Sequence, residues 1–159
     1  RPPRSTLFPY TTLFRSRAQF FRQQLIAALQ IVSQGHIGLH DMKGSWAGAM
    51  GQCQFIPTSF LAYAADGDGD GRVDIWKSKA DVFASTANYL RRVGWRPGLE
   101  WGEEVSPGTP AKLGERVVRP AGANGPAFRT TENFRAILRW NQSDFFALAV
   151  GTLSDRIGR

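Results

Sequence analysis

Apolar residues spaced three or four positions apart are the feature that most constrains the fold of this chain. The spacing predicts amphipathic helices over residues 17–34, 78–93, 131–140 and 143–157. Each helix can bury one face against its neighbours, so the sequence predicts a mainly α domain. The buried stripes are expected to be Phe21, Leu25, Ala28, Leu29 and Val32 in the first helix, Val82, Phe83, Ala87 and Leu90 in the second, and Phe146, Ala149, Val150, Leu153 and Ile157 in the last.

Two shorter features complete the expected architecture. Pro57 suits the first turn of a short helix over 59–65. The region 95–126 is rich in proline and glycine, which indicates an irregular insertion. Short strands are expected within it at 103–105 and 116–118.

Residues 1–16, RPPRSTLFPYTTLFRS, fit neither a helical nor a strand period and lack the layout of a signal peptide. A short echo, Thr-Leu-Phe at positions 6–8 and again at 12–14, is too brief for a structural repeat. The segment resembles translated sequencing-adaptor text. We therefore expect a non-native, disordered tail over 1–16 and a partial domain over 17–159, with an ordinary flexible tail as the alternative.

Charge and composition exclude several classes of function. The formal charge of +7 includes three arginines and no acidic residue within 1–16, so the remaining residues carry +4. No helix shows a basic face interleaved with aromatic residues, and we expect no nucleic-acid partner. A single cysteine excludes an intramolecular disulfide. No apolar run reaches the roughly 20 residues of a membrane span.

The Asp/Gly segment 66–77 has the spacing of an EF-hand-like calcium loop. Its expected oxygen ligands lie at positions 1, 3, 5, 7 and 9, where Gly71 at position 6 allows the sharp turn. Position 12 is Lys77 instead of a bidentate carboxylate, so we expect weak calcium binding, and a solvated turn without metal is the alternative. Ser78 and Asp81 then resemble a capping box for the next helix. The expected calcium ligands are Asp66, Asp68, Asp70, the Arg72 carbonyl and Asp74.

Several motifs in order resemble one enzyme family. They are GSWAGAMGQCQFIPTSFLAYAADGDGDGRVDIW, then ASTANYLRRVGW, with RAQFFRQQLIAAL before them and NFRAILRWNQSDFFALAVGTLSDRI after them. Together they cover nearly all of 17–159 and resemble the lytic murein transglycosylases of the membrane-bound B type. The resemblance implies a lysozyme-like fold, peptidoglycan glycan strands as the partner, and a monomer in the periplasm. It also implies that any attachment to the outer membrane is through a lipid anchor in a preceding segment.

The resemblance further implies non-hydrolytic cleavage of the MurNAc–GlcNAc β-1,4 bond. In this family one glutamic acid protonates the glycosidic oxygen. Its carboxylate then removes the proton of the muramoyl C6 hydroxyl as that oxygen attacks C1, which leaves a 1,6-anhydro end. Ser45 and Asn141 match residues that support this glutamate. Gln54, Tyr89, Trp140 and Phe146 match positions that contact substrate, although a tyrosine is common where Phe146 stands. The Asp/Gly loop matches the family's calcium loop, and Lys77 is a departure from it.

The general acid itself has no match in this chain. In the family it lies upstream of the helix that RAQFF begins, whereas the first acidic residue here is Asp41. None of the five glutamates stands in a matching motif. We therefore expect an N-terminally truncated domain that is inactive alone. The competing hypothesis is a non-catalytic, calcium-dependent peptidoglycan-binding module, and the coding sequence upstream of Arg17 would separate the two.

Overall fold

The computed structural model describes residues 9–158, with side chains from Arg17 onward. It confirms a mainly α architecture. The described residues form two compact units, one ending at Asn88 and the other beginning at Tyr89. None of the helices among the described residues is long and apolar enough to cross a membrane. In chain order the elements are α1 Pro9–Ser33, α2 Pro57–Tyr63, α3 Lys79–Arg92, β1 Gly102–Val105, β2 Arg116–Val118, β3 Ala127–Thr130, α4 Glu132–Trp140 and α5 Asp144–Ile157.

Helix α1 begins at Pro9, eight residues before the expected start, and residues 1–8 of the expected tail lie outside the described residues. Its buried face carries Gln24, Ala27 and Ile31. The expected stripe is therefore wrong, because Leu25 and Leu29 on it are more than half exposed. The face that is buried is the one that contacts α2. There the Gln24 Oε1 accepts the backbone N–H and the hydroxyl of Thr58, both at 3.1 Å.

Helix α3 also buries a face that the apolar pattern did not predict. Asp81 and Ser85 are buried, whereas Phe83 is 70% exposed. The Ser85 Oγ accepts the backbone N–H of Ala65 at 3.0 Å, and the Asn88 amide donates to the Tyr63 carbonyl at 2.8 Å. This face is polar because its side chains form hydrogen bonds with backbone groups at the end of α2 and just after it.

The expected capping box forms only in part. The Ser78 Oγ accepts the backbone N–H of Asp81 at 3.3 Å, as a cap does. In a complete capping box the Asp81 carboxylate would accept the backbone N–H of Ser78. Here it accepts N–H groups of the Asp/Gly loop instead.

In the second unit an antiparallel sheet packs with α4 and α5. Its order is β1-β3-β2, so the central strand β3 is the one that sequence reasoning missed, while β1 and β2 lie where they were expected. Gly151 of α5 lies directly against the Trp101 indole. The expected stripe of α5 is wrong, since Val150, Leu153 and Ile157 are exposed. The buried core is Trp101, Val118, Phe134, Ile137, Ala147 and Leu148.

Candidate functional site

The small-residue segment from Gly44 to Phe55 folds into two successive tight turns. Met50 forms bridges with both Gly44 and Phe55, and it is buried with Phe55. Ser45 lies exposed on the first turn, where its N–H donates to the Ala49 carbonyl and its Oγ accepts the Ala49 N–H. The Ser45 hydroxyl oxygen is thereby held at the surface.

Gln54, on the second turn, is held in an unusual backbone conformation. Its φ is +54°, and among the described residues it is the one non-glycine residue with positive φ. Its Nε2 donates to the Gly51 carbonyl at 2.8 Å, and its side chain is exposed. Such conformations cost free energy and persist where the surrounding structure enforces them, which is typical of functional sites.

The neighbouring Cys53 is buried, as expected for a small packed hydrophobe. Burial raises the pKa of its thiol, which disfavours the reactive thiolate. Cys53 therefore supports the turn and offers no nucleophile.

The Asp/Gly loop is organised by its own carboxylates. Asp66 accepts the N–H of Gly69 at 2.6 Å with one oxygen and the N–H of Gly71 at 2.8 Å with the other. The Gly71 N–H, followed by weaker bonds from the loop, lowers the pKa of Asp66 below 3.8. Asp68 accepts the Ser78 hydroxyl at 2.8 Å.

Three carboxylates converge in this loop, and one of them was not predicted. Single oxygens of Asp66, Asp68 and Asp81 lie within 4.8 Å of one another. Sequence reasoning assigned Asp81 to a helix cap, because Ser-x-x-Asp is a capping pattern. The local signal that could have identified it is its place four residues after the Asp/Gly segment, in the first turn of a helix.

The other expected calcium ligands have local partners in the structure. Asp70 accepts the N–H of Arg72 at 2.8 Å. Asp74 accepts the N–H groups of Trp76 and Lys77 with one oxygen, and its other oxygen pairs with the Arg72 guanidinium at 2.9 Å. The structure thus brings Asp66 and Asp68 together, whereas the Asp70 and Asp74 carboxylates form hydrogen bonds with neighbouring residues of the loop.

In the second unit, Tyr89 and Trp140 form an aromatic pair. Their ring centroids are 4.7 Å apart in an edge-to-face arrangement. The Tyr89 hydroxyl donates to the Arg139 carbonyl at 2.8 Å, which ties Tyr89 to the last turn of α4. Two of the predicted substrate-binding residues are therefore adjacent.

Asn141 follows this pair at the end of α4. Its N–H donates to the Ile137 carbonyl, and its Oδ1 accepts the N–H of Ser143 at 3.0 Å. Asn141 is exposed at the α4–α5 turn. Phe146 is placed differently, since it is half-buried and packs against the hydrophobic core of this unit.

The glutamates of the chain are poorly placed for proton donation. Glu100, Glu104 and Glu132 are exposed. Glu103 and Glu115 both pair with the Arg129 guanidinium, at 2.6 and 3.3 Å. A cavity of about 690 Å³ near β1 is lined by acidic side chains and by Trp101, and it contains none of the predicted site residues.

The sequence matches the transglycosylase SLT domain family over residues 6–114 and 104–155. The chain belongs to this family. It is 30% identical to membrane-bound lytic murein transglycosylase B of Escherichia coli over 169 aligned positions, which cover 89% of this chain and 46% of that protein. The resemblance found in the motifs is thereby confirmed.

Solved structures agree with this transglycosylase assignment. SltB3 from Pseudomonas aeruginosa, solved in complex with NAG-anhNAM-pentapeptide, is 42% identical with a TM-score of 0.78, covering 88% of this chain and 46% of that one. The Escherichia coli lytic transglycosylase Slt35, solved in complex with calcium, is 28% identical with a TM-score of 0.77, covering 91% and 55%. The lysozyme-like lytic transglycosylase fold is therefore confirmed, and the chain spans about half the length of these relatives.

Proposed function

We propose that this chain is the glycan-binding and cation-binding part of a peptidoglycan lytic transglycosylase. The complete enzyme cleaves the MurNAc–GlcNAc β-1,4 bond without water and leaves 1,6-anhydromuramoyl ends. The observation that carries this proposal is the family match together with the enforced backbone of Gln54 on an exposed turn. The relative SltB3, solved with NAG-NAM-pentapeptide, supports a disaccharide-peptide as the class of ligand.

Each predicted residue then has a role that suits its chemistry. Gln54 hydrogen-bonds the N-acetyl region of the glycan, since its turn presents the side chain to solvent. Tyr89 and Trp140 provide an aromatic edge for sugar rings, and Phe146 supports that edge from the core below it. Ser45 and Asn141 present a hydroxyl and an amide that orient the catalytic carboxyl.

The general acid is supplied from outside this sequence. A glutamic acid that protonates a glycosidic oxygen near neutral pH needs a secluded site that favours its neutral form. The five glutamates here are exposed or paired with Arg129, so none of them lies in such a secluded site. The chain on its own therefore binds glycan without cleaving it.

Calcium is the proposed cation of the Asp/Gly loop. Carboxylate oxygens are the ligands that this hard cation prefers, and the convergence of Asp66, Asp68 and Asp81 fits a single ion. Bound calcium would neutralise these charges and stabilise the loop. Asp70, Asp74 and the Arg72 carbonyl would complete the EF-hand-like set, but the Asp70 and Asp74 carboxylates lie outside the converging group, which agrees with weak affinity.

The proposed setting follows from the same relatives. The Escherichia coli relative is named as membrane-bound, and we place the parent enzyme in the periplasm, attached to the outer membrane through a lipid anchor outside this sequence. The chain binds glycan strands as a monomer.

Co-sedimentation with purified sacculi tests the binding role. The chain should pellet with sacculi, and Gln54→Ala should lower the bound fraction severalfold. Gln19→Ala, an exposed glutamine on α1, is the matched control and should not change it. Equal binding by Gln54→Ala and the parent chain would contradict the proposed role of Gln54.

The alternative function is a non-catalytic, calcium-dependent peptidoglycan-binding module, which the exposed or paired glutamates favour. Both functions predict binding to sacculi, so co-sedimentation does not separate them. The coding sequence upstream of Arg17 does: an in-frame segment with the family's catalytic glutamate would identify a transglycosylase.

A further inference from the structure

We infer that Gln52 is a positioning residue, whose side-chain amide holds the turn that presents Gln54. The inference rests on the proposed glycan-binding role of Gln54. Gln52 is exposed and was not among the predicted site residues. Its importance comes from what its two N–H donors contact.

Both donors of Gln52 reach the chain at the end of the Asp/Gly loop. The backbone N–H donates to the Ile75 carbonyl at 2.9 Å, and the side-chain Nε2 donates to the Trp76 carbonyl at 3.0 Å. The turn is therefore joined to this segment at two successive carbonyl groups. The side-chain bond therefore adds a second point of attachment to the one that the backbone bond provides.

Close packing reinforces the same junction. A Cβ on Gly51 would lie 2.6 Å from the Ile75 Cγ1 and 2.7 Å from the Ile75 carbonyl oxygen. The backbone of the turn is therefore in direct contact with the segment that contains Ile75. Ile75 is completely buried. It gives the turn a rigid surface to rest on.

The segment that receives Gln52 is itself fixed. The Asp74 carboxylate accepts the N–H of Trp76 at 3.0 Å, and the Asp74 N–H donates to the buried carboxylate of Asp81 at 2.6 Å. A continuous chain of hydrogen bonds thus runs from Asp81 to Gln52. Movement of Gln54 is limited by a buried group that lies well outside the turn.

The strain at Gln54 explains why such support is needed. Its positive φ is unfavourable for a side chain with a Cβ, and without support the residue would relax to a negative φ. Relaxation would change the direction in which the amide is presented. Gln52 therefore acts on glycan binding through the conformation of Gln54.

The test replaces Gln52 by glutamate, which keeps the shape of the side chain and removes the Nε2 donor. Backbone ¹⁵N order parameters report on the turn without any ligand. At Gln54 they should fall from the rigid value of about 0.85 in the parent chain to below about 0.6 in Gln52→Glu. Gln19→Glu should leave them unchanged, and so should the order parameter of Ile75 in either variant. An unchanged order parameter at Gln54 in Gln52→Glu would overturn the inference.

A binding cycle with NAG-NAM-pentapeptide, measured by titration calorimetry, tests whether the effect passes through Gln54. Gln52→Glu should weaken binding about fivefold, the loss expected for one hydrogen bond. The double variant with Gln54→Ala should bind no more weakly than Gln54→Ala alone. Additive losses would overturn the inference. If the parent chain does not bind the probe, the proposed function fails, while the order parameters still decide whether Gln52 holds the turn.

Discussion

The buried carboxylate of Asp81 accepts the backbone N–H of Asp74 at 2.6 Å, and this bond joins the start of α3 to the Asp/Gly loop. Its other oxygen accepts the N–H of Gly67 at 2.8 Å. One residue therefore closes the loop at both ends. The loop and the turn that carries Gln54 depend on it.

Replacement of Asp81 by alanine should lower the free energy of unfolding by about 3 kcal/mol, because the N–H groups of Gly67 and Asp74 lose a buried carboxylate acceptor. Urea unfolding monitored by tryptophan fluorescence measures the change. Asp41→Ala, at an exposed position, is the matched control and should change stability by less than about 0.5 kcal/mol. Equal stability of the two variants would show that Asp81 does not hold the loop.

Calcium should raise the melting temperature of the chain in the millimolar range, since a cation that binds only the folded state stabilises it. Asp66→Asn and Asp81→Asn should abolish the heat of calcium binding. Asp70→Asn should reduce it less, because Asp70 accepts a bond from Arg72 and lies outside the converging group. No heat and no change in melting temperature at millimolar calcium would support the metal-free turn.

Asp66 should make stability depend on pH in the acidic range. Its pKa in the folded chain lies below 3.8, chiefly because the Gly71 N–H binds the carboxylate. The stabilisation is therefore fully present above pH 3.8 and is lost as the pH falls through the lowered value. Urea midpoints from about pH 6 to about pH 2 should fall less steeply in Asp66→Asn than in the parent chain. Identical slopes would contradict the assignment.

Helix existence could be predicted from sequence, whereas the buried faces could not. The apolar stripe of α1 with Leu25 and Leu29 is exposed, and the buried face contains Gln24, because Thr58 supplies it with two hydrogen bonds. In α3 the buried positions are Asp81 and Ser85. The periodicity of apolar residues does not take account of polar side chains that form hydrogen bonds with backbone groups distant in the sequence. It therefore predicted the wrong buried face for both helices.

The candidate site was predictable to the extent that its motifs are local. The spacing of the Asp/Gly loop identified Asp66 and Asp68, which do converge. Asp81 and Gln52 were missed because their partners lie seven or more residues away along the chain. Strand β3 was missed for a related reason, since four residues after a Gly-Pro pair become a strand only between two partners.

Gly151→Ala should destabilise the second unit by about 2 kcal/mol or more, because a Cβ there would overlap the Trp101 ring in a packed core. Gly158→Ala is the matched control, since a Cβ at Gly158 has only the Ser154 carbonyl nearby at 3.4 Å. Urea unfolding should separate the two variants clearly. Comparable stabilities would indicate that α5 does not pack against Trp101 as described.

Tyr89→Phe should lower the free energy of unfolding by about 1 kcal/mol, because it removes the hydroxyl that donates to the Arg139 carbonyl and keeps the ring. Tyr89→Ala also removes the contact with Trp140 and should cost about 1 kcal/mol more. Thermal unfolding of both variants measures these steps. If Tyr89→Phe costs as much as Tyr89→Ala, the aromatic pair contributes nothing.

The central claim is that this transglycosylase chain binds peptidoglycan and receives its general acid from elsewhere. The direct test incubates the purified chain with sacculi and analyses the soluble products by mass spectrometry for 1,6-anhydromuropeptides. A full-length relative, such as the Escherichia coli enzyme, is the positive control. The chain should sediment with the sacculi and release no anhydromuropeptide. Release of anhydromuropeptides by the chain would contradict it.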